Sequence, residues 1–472
     1  MAEKKLKPGF VVFSIDGVPF GLMQRMFDEG VMPRLAGLAE QNTFRQMRSI
    51  HPCVSSVAWT CFTTGKNPGK HGIYGFIDRK SGSWDLAFPN AQAMTSQNIW
   101  EILSQAGKRV FGMNVPVTYP PRTVNGILIA GFLAPNLDKI AYPASVSEYL
   151  KSIDYRIDND AAAARKDKRG LLVDLRETHQ ARMTAMFHYL QQEPWDYFHT
   201  HVMGSDRINH FLFEKMEAND PEFAPAFFDY YRQVDEDLGR LLDMIDDDTP
   251  MMIFSDHGFC SIKQEVQLSR YLIDRGWTTP VENPVHPLSI DPSRSKAYCL
   301  IPGRIFVNLQ GREPGGIVPL DQYQNTRKEL AADLLQLKDP DTHEPVIDRV
   351  FMREELYWSD QGQSRGQLTP EQVARSEGTF ATAADLVAIP KDGYDLKLGL
   401  NSDKIFLRSE MEGMHTYHDA FLVARGVDLP DDNLEILMLT RHILQKLNVN
   451  PPDDMDGINQ AVTPLFDQLT TK

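Results

Sequence analysis

Met251-Met252-Ile253-Phe254-Ser255-Asp256-His257-Gly258-Phe259 is the stretch on which the reading of this chain turns. Pro250 sets its start, and the apolar run from Met251 to Phe254 is too short for a helix between such breakers. It reads as a buried parallel strand that stops abruptly at an Asp-His pair. Neighbouring side chains on a strand point to opposite faces, so Asp256 and His257 can share one target only if the chain leaves strand geometry there. Gly258 is expected to permit that turn. The carboxyl end of a buried strand is where open α/β sheets bind ligands, which makes the pair candidate ligands of one metal ion. A buried Asp held by loop amides beside a surface His would look the same in isolation, so the rest of the chain decides.

Working outward, Phe10 to Ile15 is a second buried strand and ends in Asp16-Gly17, which places another carboxylate at the same sheet edge. Helices are expected over Phe20 to Glu29 and Pro33 to Glu40, the latter opened by a proline at an allowed first-turn position. His51 to Phe76 is dense in hydroxyls and small residues and closes in a Gly, Asn and Pro loop. A Ser at a helix amino end has amide donors around it and can be deprotonated by a bound cation; a helix cap is the other role for such a residue. Val110 to Val115 is a strand ending near Asn114, an uncharged phosphate donor or a turn residue. Gly170 to Gln192 is a long amphipathic helix whose methionines belong to the core. Trp195 to Met203 is strand-like and delivers Asp206 and His210, at i and i+4 on one face of a helical turn, where both can converge on a cation. Ala224 to Ile245 returns as a helix. His415 lies in a loop before the apolar strand Ala420 to Ala424, and Asn433 to Leu447 closes as a helix.

Hydrophobic residues at 42% and charged residues at 24% exclude a disordered or fibrous class. A net charge of −15 without a basic patch excludes nucleic acid and anionic membranes as partners. No apolar run is long enough to span a membrane or serve as a signal-peptide core, so a cytoplasmic location is expected. The cysteines Cys53, Cys61, Cys260 and Cys299 show neither zinc-type spacing nor a disulfide framework. From Trp277 to about Phe380 prolines, glycines and mixed charges dominate, and only Tyr323 to Leu337 reads as a helix. The expected organisation is therefore a catalytic core over 8–276 and 381–450, an inserted lobe over the active site at 277–380, and a C-terminal extension at 451–472. Arg304, Arg312 and Lys296 of the lobe are anion contacts or solvated surface charges.

Taken together, strand-Asp16, the hydroxyl segment with Ser55, Asp206-x-x-x-His210, strand-Asp256-His257 and loop-His415 resemble the alkaline phosphatase superfamily. The resemblance is to its type I phosphodiesterase and nucleotide pyrophosphatase branch, and particularly to prokaryotic phosphohydrolase or phosphomutase-like proteins. It is carried by Ala58-Trp59-Thr60-Cys61-Phe62-Thr63-Thr64-Gly65-Lys66-Asn67-Pro68-Gly69-Lys70-His71-Gly72-Ile73 and Arg312-Glu313-Pro314-Gly315-Gly316-Ile317-Val318. It implies an α/β fold with a mixed, mostly parallel sheet between helices and two divalent ions at its carboxyl edge. By position, Asp16, Ser55, Asp256 and His257 would hold one ion and Asp206, His210 and His415 the other. Such mixed imidazole and carboxylate sets suit zinc, with manganese as the alternative.

The implied activity is metal-dependent cleavage of a small phosphate ester through a covalent phosphoseryl intermediate, with Ser55 as nucleophile. Where eukaryotic-type nucleotide pyrophosphatases place an Asn after the His-Gly-Ile segment this chain has Gly75 and Phe76, which weakens a nucleotide pyrophosphate substrate and makes Asn114 the substitute donor. Family phosphodiesterases usually carry Thr where this chain has Ser55 followed by Ser56, and Ser55 is chosen by its spacing to Gly65. Diesters or phosphonate monoesters are the expected substrates, because no charged residue lies between Cys53 and Thr64 to neutralise a second phosphate charge. Trp59 and Phe76 are expected to wall the second substituent. A phosphomonoesterase, a cofactor-independent phosphomutase and a non-catalytic metal-stabilised binding protein are the rival readings. A sulfatase would need a modified Cys followed by Pro and Arg, which the segment lacks. The chain is compatible with a homo-oligomer.

Overall fold

The computed structural model describes residues 5–357, 370–374 and 378–456. They fall into two compact units, the first of residues 5–66, 90–261 and 410–456, the second of 67–89 and the described part of 262–409. The segment expected as the lobe, 277–380, lies within the second unit. Of the expected C-terminal extension, 451–456 belong to the first unit and the remainder lies outside the described residues.

In chain order the strands of the first unit are β1 (Phe10–Ile15), β2 (Thr43–Met47), β3 (Val110–Met113), β4 (Gly126–Ile129), β5 (Ala141–Tyr142), β6 (Tyr197–Val202), β7 (Met251–Phe254), β8 (Gly258–Ser261), β9 (Gly413–Thr416) and β10 (Ala420–Arg425). Eight of them form one sheet in the order β2-β10-β7-β1-β6-β3-β4-β5. The central five, β7 to β4 in that order, run parallel; β10 and β5 flank them antiparallel, and β2 pairs antiparallel with β10 at the edge. Strands β8 and β9 form a separate antiparallel pair.

Burial on both faces explains why β1 and β7 read as unbroken apolar runs. Alternation along β1 sends Val11, Phe13 and Ile15 into one core and Phe10 and Val12 into the other. The first core is closed by helices Phe20–Asp28, Pro33–Glu40, Lys168–Leu190, Gly204–Glu217 and Phe223–Met244. The second is closed by Ser55–Thr64, Ile99–Gln105 and Leu439–Lys446. This is the expected mostly parallel sheet between helices. Local departures have local causes. The closing helix starts only at Leu439, after a 3₁₀ turn at Ile436–Met438. Strand β5 has two residues, too few to show any periodicity. Among the described residues, no helix is long and apolar enough to cross a membrane.

The second unit has an antiparallel sheet in the order Ala297–Leu300, Arg304–Val307, Leu386–Pro390, Ile347–Met352, with helix Tyr323–Leu334 sharing its core. Its arginines are not anion contacts. Arg304 is fully buried and bonds the Asp78 carboxylate and the Ile77 and Ile301 carbonyls. Arg312 clamps Asp385 with Nη1 at 2.8 Å and Nη2 at 2.6 Å. Asp385, itself fully buried, also accepts from Arg353 at 3.3 Å, from the Tyr323 hydroxyl at 2.5 Å and from the Val307 amide at 2.7 Å. Burial opposes ionisation of this carboxyl, but the Arg312 and Arg353 charges outweigh it and hold it well below the usual carboxylate range. Asp385→Ala would remove the buried carboxylate that Arg353 and Arg312 share, leaving Arg312 paired with Glu313, so it should destabilise the second unit by about 3–5 kcal/mol in urea unfolding. A loss below about 1 kcal/mol would mean the network behaves as a solvated surface cluster.

Candidate metal centre and nucleophile

Asp16, Asp206, Asp256 and His257 follow the carboxyl ends of β1, β6 and β7, which are adjacent in the sheet. The chain does leave strand geometry after Phe254: residues 255–257 form a break before β8 starts. Gly258 acts otherwise than expected. It takes no left-handed conformation; instead a Cβ there would lie 1.9 Å from Asp419 Oδ1 and 2.5 Å from Thr416 Oγ1. The left-handed turn falls at Gly17, with φ +65°, whose amide donates to Asp256 Oδ1 at 3.1 Å. Ser55 opens helix Ser55–Thr64. His415 comes from β9, held in place by pairing opposite Phe259 of β8.

The side chains converge. Ser55 Oγ lies 3.2 Å from Asp16 Oδ1 and 3.3 Å from His257 Nε2. His257 Nε2 is 3.6 Å from Asp16 Oδ1 and 3.4 Å from Asp256 Oδ2. His415 Nε2 lies 3.1 Å from Asp206 Oδ1 and 3.0 Å from His210 Nε2. Among the described residues two ligand-competent groups result, Asp16-Asp256-His257 and Asp206-His257-His415, with His257 within reach of both. His257 and His415 stack with ring centroids 3.7 Å apart.

Hydrogen counting shows that these residues fit a cation. Each imidazole turns Nδ1 to a backbone carbonyl: His257 to Gly258 at 3.0 Å, His210 to Gly413 at 2.8 Å, and His415 to Cys53 at 2.9 Å. A carbonyl only accepts, so Nδ1 carries the hydrogen and the Nε2 lone pairs face the cluster, the arrangement of metal-ligating histidines. Burial and then the neighbouring His415 depress His257 to about 3, and burial depresses His210 to about 4, so both rings are neutral at pH 7. Asp256 is the unsatisfied member. Its Oδ2 is buried without a hydrogen-bond partner among the described residues, and burial together with the Asp16 charge pushes its carboxyl well above the usual range. A divalent ion would relieve both defects. At the other group, burial opposes ionisation of Asp206, but His210, His415 and Arg207 hold it well below the usual range. Burial lowers His415, but the Asp206 carboxylate beside its ring outweighs burial and raises it by favouring the protonated form.

Other expected residues stand elsewhere. Asn114 is at the carboxyl end of β3 in a left-handed conformation, φ +68°. Its Oδ1 accepts from the Tyr155 hydroxyl and its Nδ2 donates to the His201 carbonyl at 3.4 Å, so the amide is turned to protein partners. Ser56 is fully buried, and its hydroxyl has no partner among the described residues. His418 is exposed. Trp59 is not a substrate wall: it is fully buried, and its indole N–H donates to Asp16 Oδ2 at 2.7 Å. Phe76 belongs to the second unit.

Two further neighbours were not singled out from sequence. Arg207 bonds Asp206 Oδ2 at 2.9 Å and Asp158 Oδ2 at 2.6 Å. His201 Nε2 lies 3.2 Å from Asp16 Oδ2. The signal for His201 was present in Tyr197-Phe198-His199-Thr200-His201, where polar residues recur at period two inside a strand buried on both faces.

Residues 10–418 match the family described as type I phosphodiesterase / nucleotide pyrophosphatase. Among curated proteins no match is found. Among solved structures, phosphonoacetate hydrolase from Sinorhizobium meliloti 1021 in complex with phosphonoacetate aligns with a TM-score of 0.60 at 14% identity, over 94% of this chain and 96% of that one. The same enzyme with phosphonoformate gives 0.60 at 15% identity over the same shares. At such identities the likeness is one of fold.

Proposed function

The chain belongs to the type I phosphodiesterase / nucleotide pyrophosphatase family, and from that premise we propose that it is a two-metal phosphohydrolase with Ser55 as its nucleophile. The observation that carries this reading is the position of the Ser55 hydroxyl, within 3.3 Å of both Asp16 and His257 and at the edge of the convergent Nε2 lone pairs. Asp16, Asp256 and His257 with Ser55 would hold one divalent ion, zinc or else manganese, and Asp206, His210 and His415 the other. When bound, such a pair supplies positive charge that favours the Ser55 alkoxide and stabilises the departing oxygen.

The residues of the chain then divide the work. Asp16 Oδ1 accepts the Ser55 hydroxyl bond and aims the oxygen. Ser55 Oγ forms a bond to phosphorus as the ester P–O bond breaks, and the alcohol leaves with a proton. Water then cleaves the phosphoseryl ester, returning the hydroxyl and releasing the phosphoryl product. His210, His257 and His415, each tethered through Nδ1, keep their Nε2 atoms fixed throughout.

A singly charged ester suits this site. Arg207, the guanidinium bonded to Asp206, is also bonded to Asp158 and so is compensated. The phosphomutase reading asks for a free basic cluster, whereas Arg304 and Arg312 are closed in ion pairs. Metal-loaded protein should show kcat/KM at least about tenfold higher on bis-nitrophenyl phosphate or nitrophenyl phenylphosphonate than on nitrophenyl phosphate, about 1.4 kcal/mol of transition-state discrimination. A tenfold preference for the monoester would overturn the diesterase assignment.

A further inference from the structure

Strands β1 and β6 run in parallel register with Ser14 opposite His201 and Val12 opposite His199. That register gathers polar side chains where a sheet between two cores would ordinarily carry apolar ones. Ser14, His199, His201 and Tyr197 are all fully buried. Ser14 Oγ stands 2.9 Å from His201 Nδ1 and 2.9 Å from His199 Nε2. His201 Nε2 reaches Asp16 Oδ2 at 3.2 Å, and His199 Nδ1 lies 3.4 Å from the Tyr197 hydroxyl. The hydrogen bonds thus run from Tyr197 to His201, whose Nε2 ends the line 3.2 Å from Asp16.

Its direction follows from counting hydrogens. The indole of Trp59 can only donate, so Asp16 Oδ2, which receives it at 2.7 Å, is an acceptor. An acceptor 3.2 Å away favours the His201 hydrogen on Nε2, which in the neutral ring leaves Nδ1 bare. The Ser14 hydroxyl hydrogen points to that bare nitrogen. The Ser14 oxygen in turn accepts from His199 Nε2–H, and His199 Nδ1 accepts from the Tyr197 hydroxyl. Burial, then the neighbouring His201, hold His199 below the usual imidazole range, in keeping with a neutral ring. Two details mark where the line is weakest. The His201 N–H lies off the axis to Asp16, close in distance but not aligned. The Thr200 carbonyl, 3.3 Å from Ser14 Oγ, competes for its hydrogen. Were that carbonyl to win, His201 Nδ1 would face a bare oxygen and would have to be protonated.

We infer that Tyr197, His199, Ser14 and His201 form a one-way hydrogen-bonded chain that turns the His201 Nε2–H toward Asp16 Oδ2, positioning residues that leave Oδ1 for Ser55 and for the divalent ion proposed above. The part concerning the ion rests on that proposal, whereas the direction of the chain does not. Outer partners of this kind commonly change metal affinity by about 10–100-fold when removed.

The test begins with metal-free protein carrying ¹⁵N-labelled histidine. Two-bond ¹H–¹⁵N correlation spectra, assigned against His201→Gln, should show both His199 and His201 as Nε2–H tautomers. A His201 ring protonated on Nδ1 overturns the inference. Metal retention gives the second readout. With a chelator in excess, His201→Leu should lose metal at least about tenfold faster than the parent, and His201→Gln, which keeps an N–H near the Nε2 position, should stay within about threefold of the parent. Equal retention in a folded His201→Leu protein overturns the positioning role. If His201→Leu does not fold, Ser14→Ala replaces it, with a shift of His201 towards Nδ1–H expected and an unchanged spectrum decisive against the chain. A parent protein that takes up no metal while showing the expected tautomers would defeat the two-metal proposal and leave the hydrogen-bonded chain standing.

Discussion

Ser55→Ala should lower kcat on diesters by on the order of a thousandfold or more while the fold survives. The substitution removes one oxygen from a buried site and leaves helix Ser55–Thr64 with its backbone bonds, in which the Val57 and Ala58 amides donate to Val54. Its cost in stability is limited to the net value of the bonds made by one hydroxyl, about 1 kcal/mol. The rate loss is far larger because the removed atom is the proposed nucleophile. Ser56, next in sequence, buries its hydroxyl away from Asp16 and His257. Ser56→Ala should accordingly keep near-parental turnover. Steady-state kinetics on both variants, with mass spectrometry of acid-quenched parent for a phosphoserine adduct, check the assignment. An inactive Ser56→Ala beside an active Ser55→Ala would transfer the role to Ser56.

His257→Ala should be the most damaging ligand substitution, with activity down by roughly three orders of magnitude. Its Nε2 lies within reach of Asp16 and Asp256 on one side, and the ring stacks on His415 on the other. Removing it takes a candidate ligand from the first group and, from the second, a ring within reach of Asp206 that also stacks on His415. Elemental analysis of protein purified without chelator should therefore find one ion lost and the second weakly held. His415→Ala, confined to the group of Asp206 and His210, should lose one ion and retain the other. A His257→Ala protein that keeps two tightly bound ions would break the ligand assignment.

What could be read from sequence alone was whatever local pattern determines. Strands β1 and β7 are continuous apolar runs ended by Asp, so their burial and the carboxylates at one edge followed directly. Family membership and the mostly parallel sheet followed from the ordered motifs. The misreadings came from tertiary pairing, which no window of residues contains. Trp59 looked like an apolar wall because its partner, Asp16, comes from a different segment of the chain. Arg312 looked available because Asp385 lies far along the chain. His201 passed as strand filler because its meaning depends on the β1–β6 register that sets it against Ser14. The Gly258 misreading is of the same kind: the space its missing side chain vacates is filled by Asp419, which arrives only with β9 and β10.

The β8–β9 pair has one more consequence. Ser261 and Gly413 are register partners, so the whole of residues 262–409 is spliced into what would otherwise be the turn of a hairpin. During synthesis, Asp16, Ser55, Asp206, His210, Asp256 and His257 emerge before that insertion, and His415 only after it. At ribosomal speed the interval is on the order of ten seconds. For that time the nascent chain carries an incomplete centre, with the Nε2 of His257 made and its stacking partner not yet translated. The finished site thus waits on a strand translated only after the insertion.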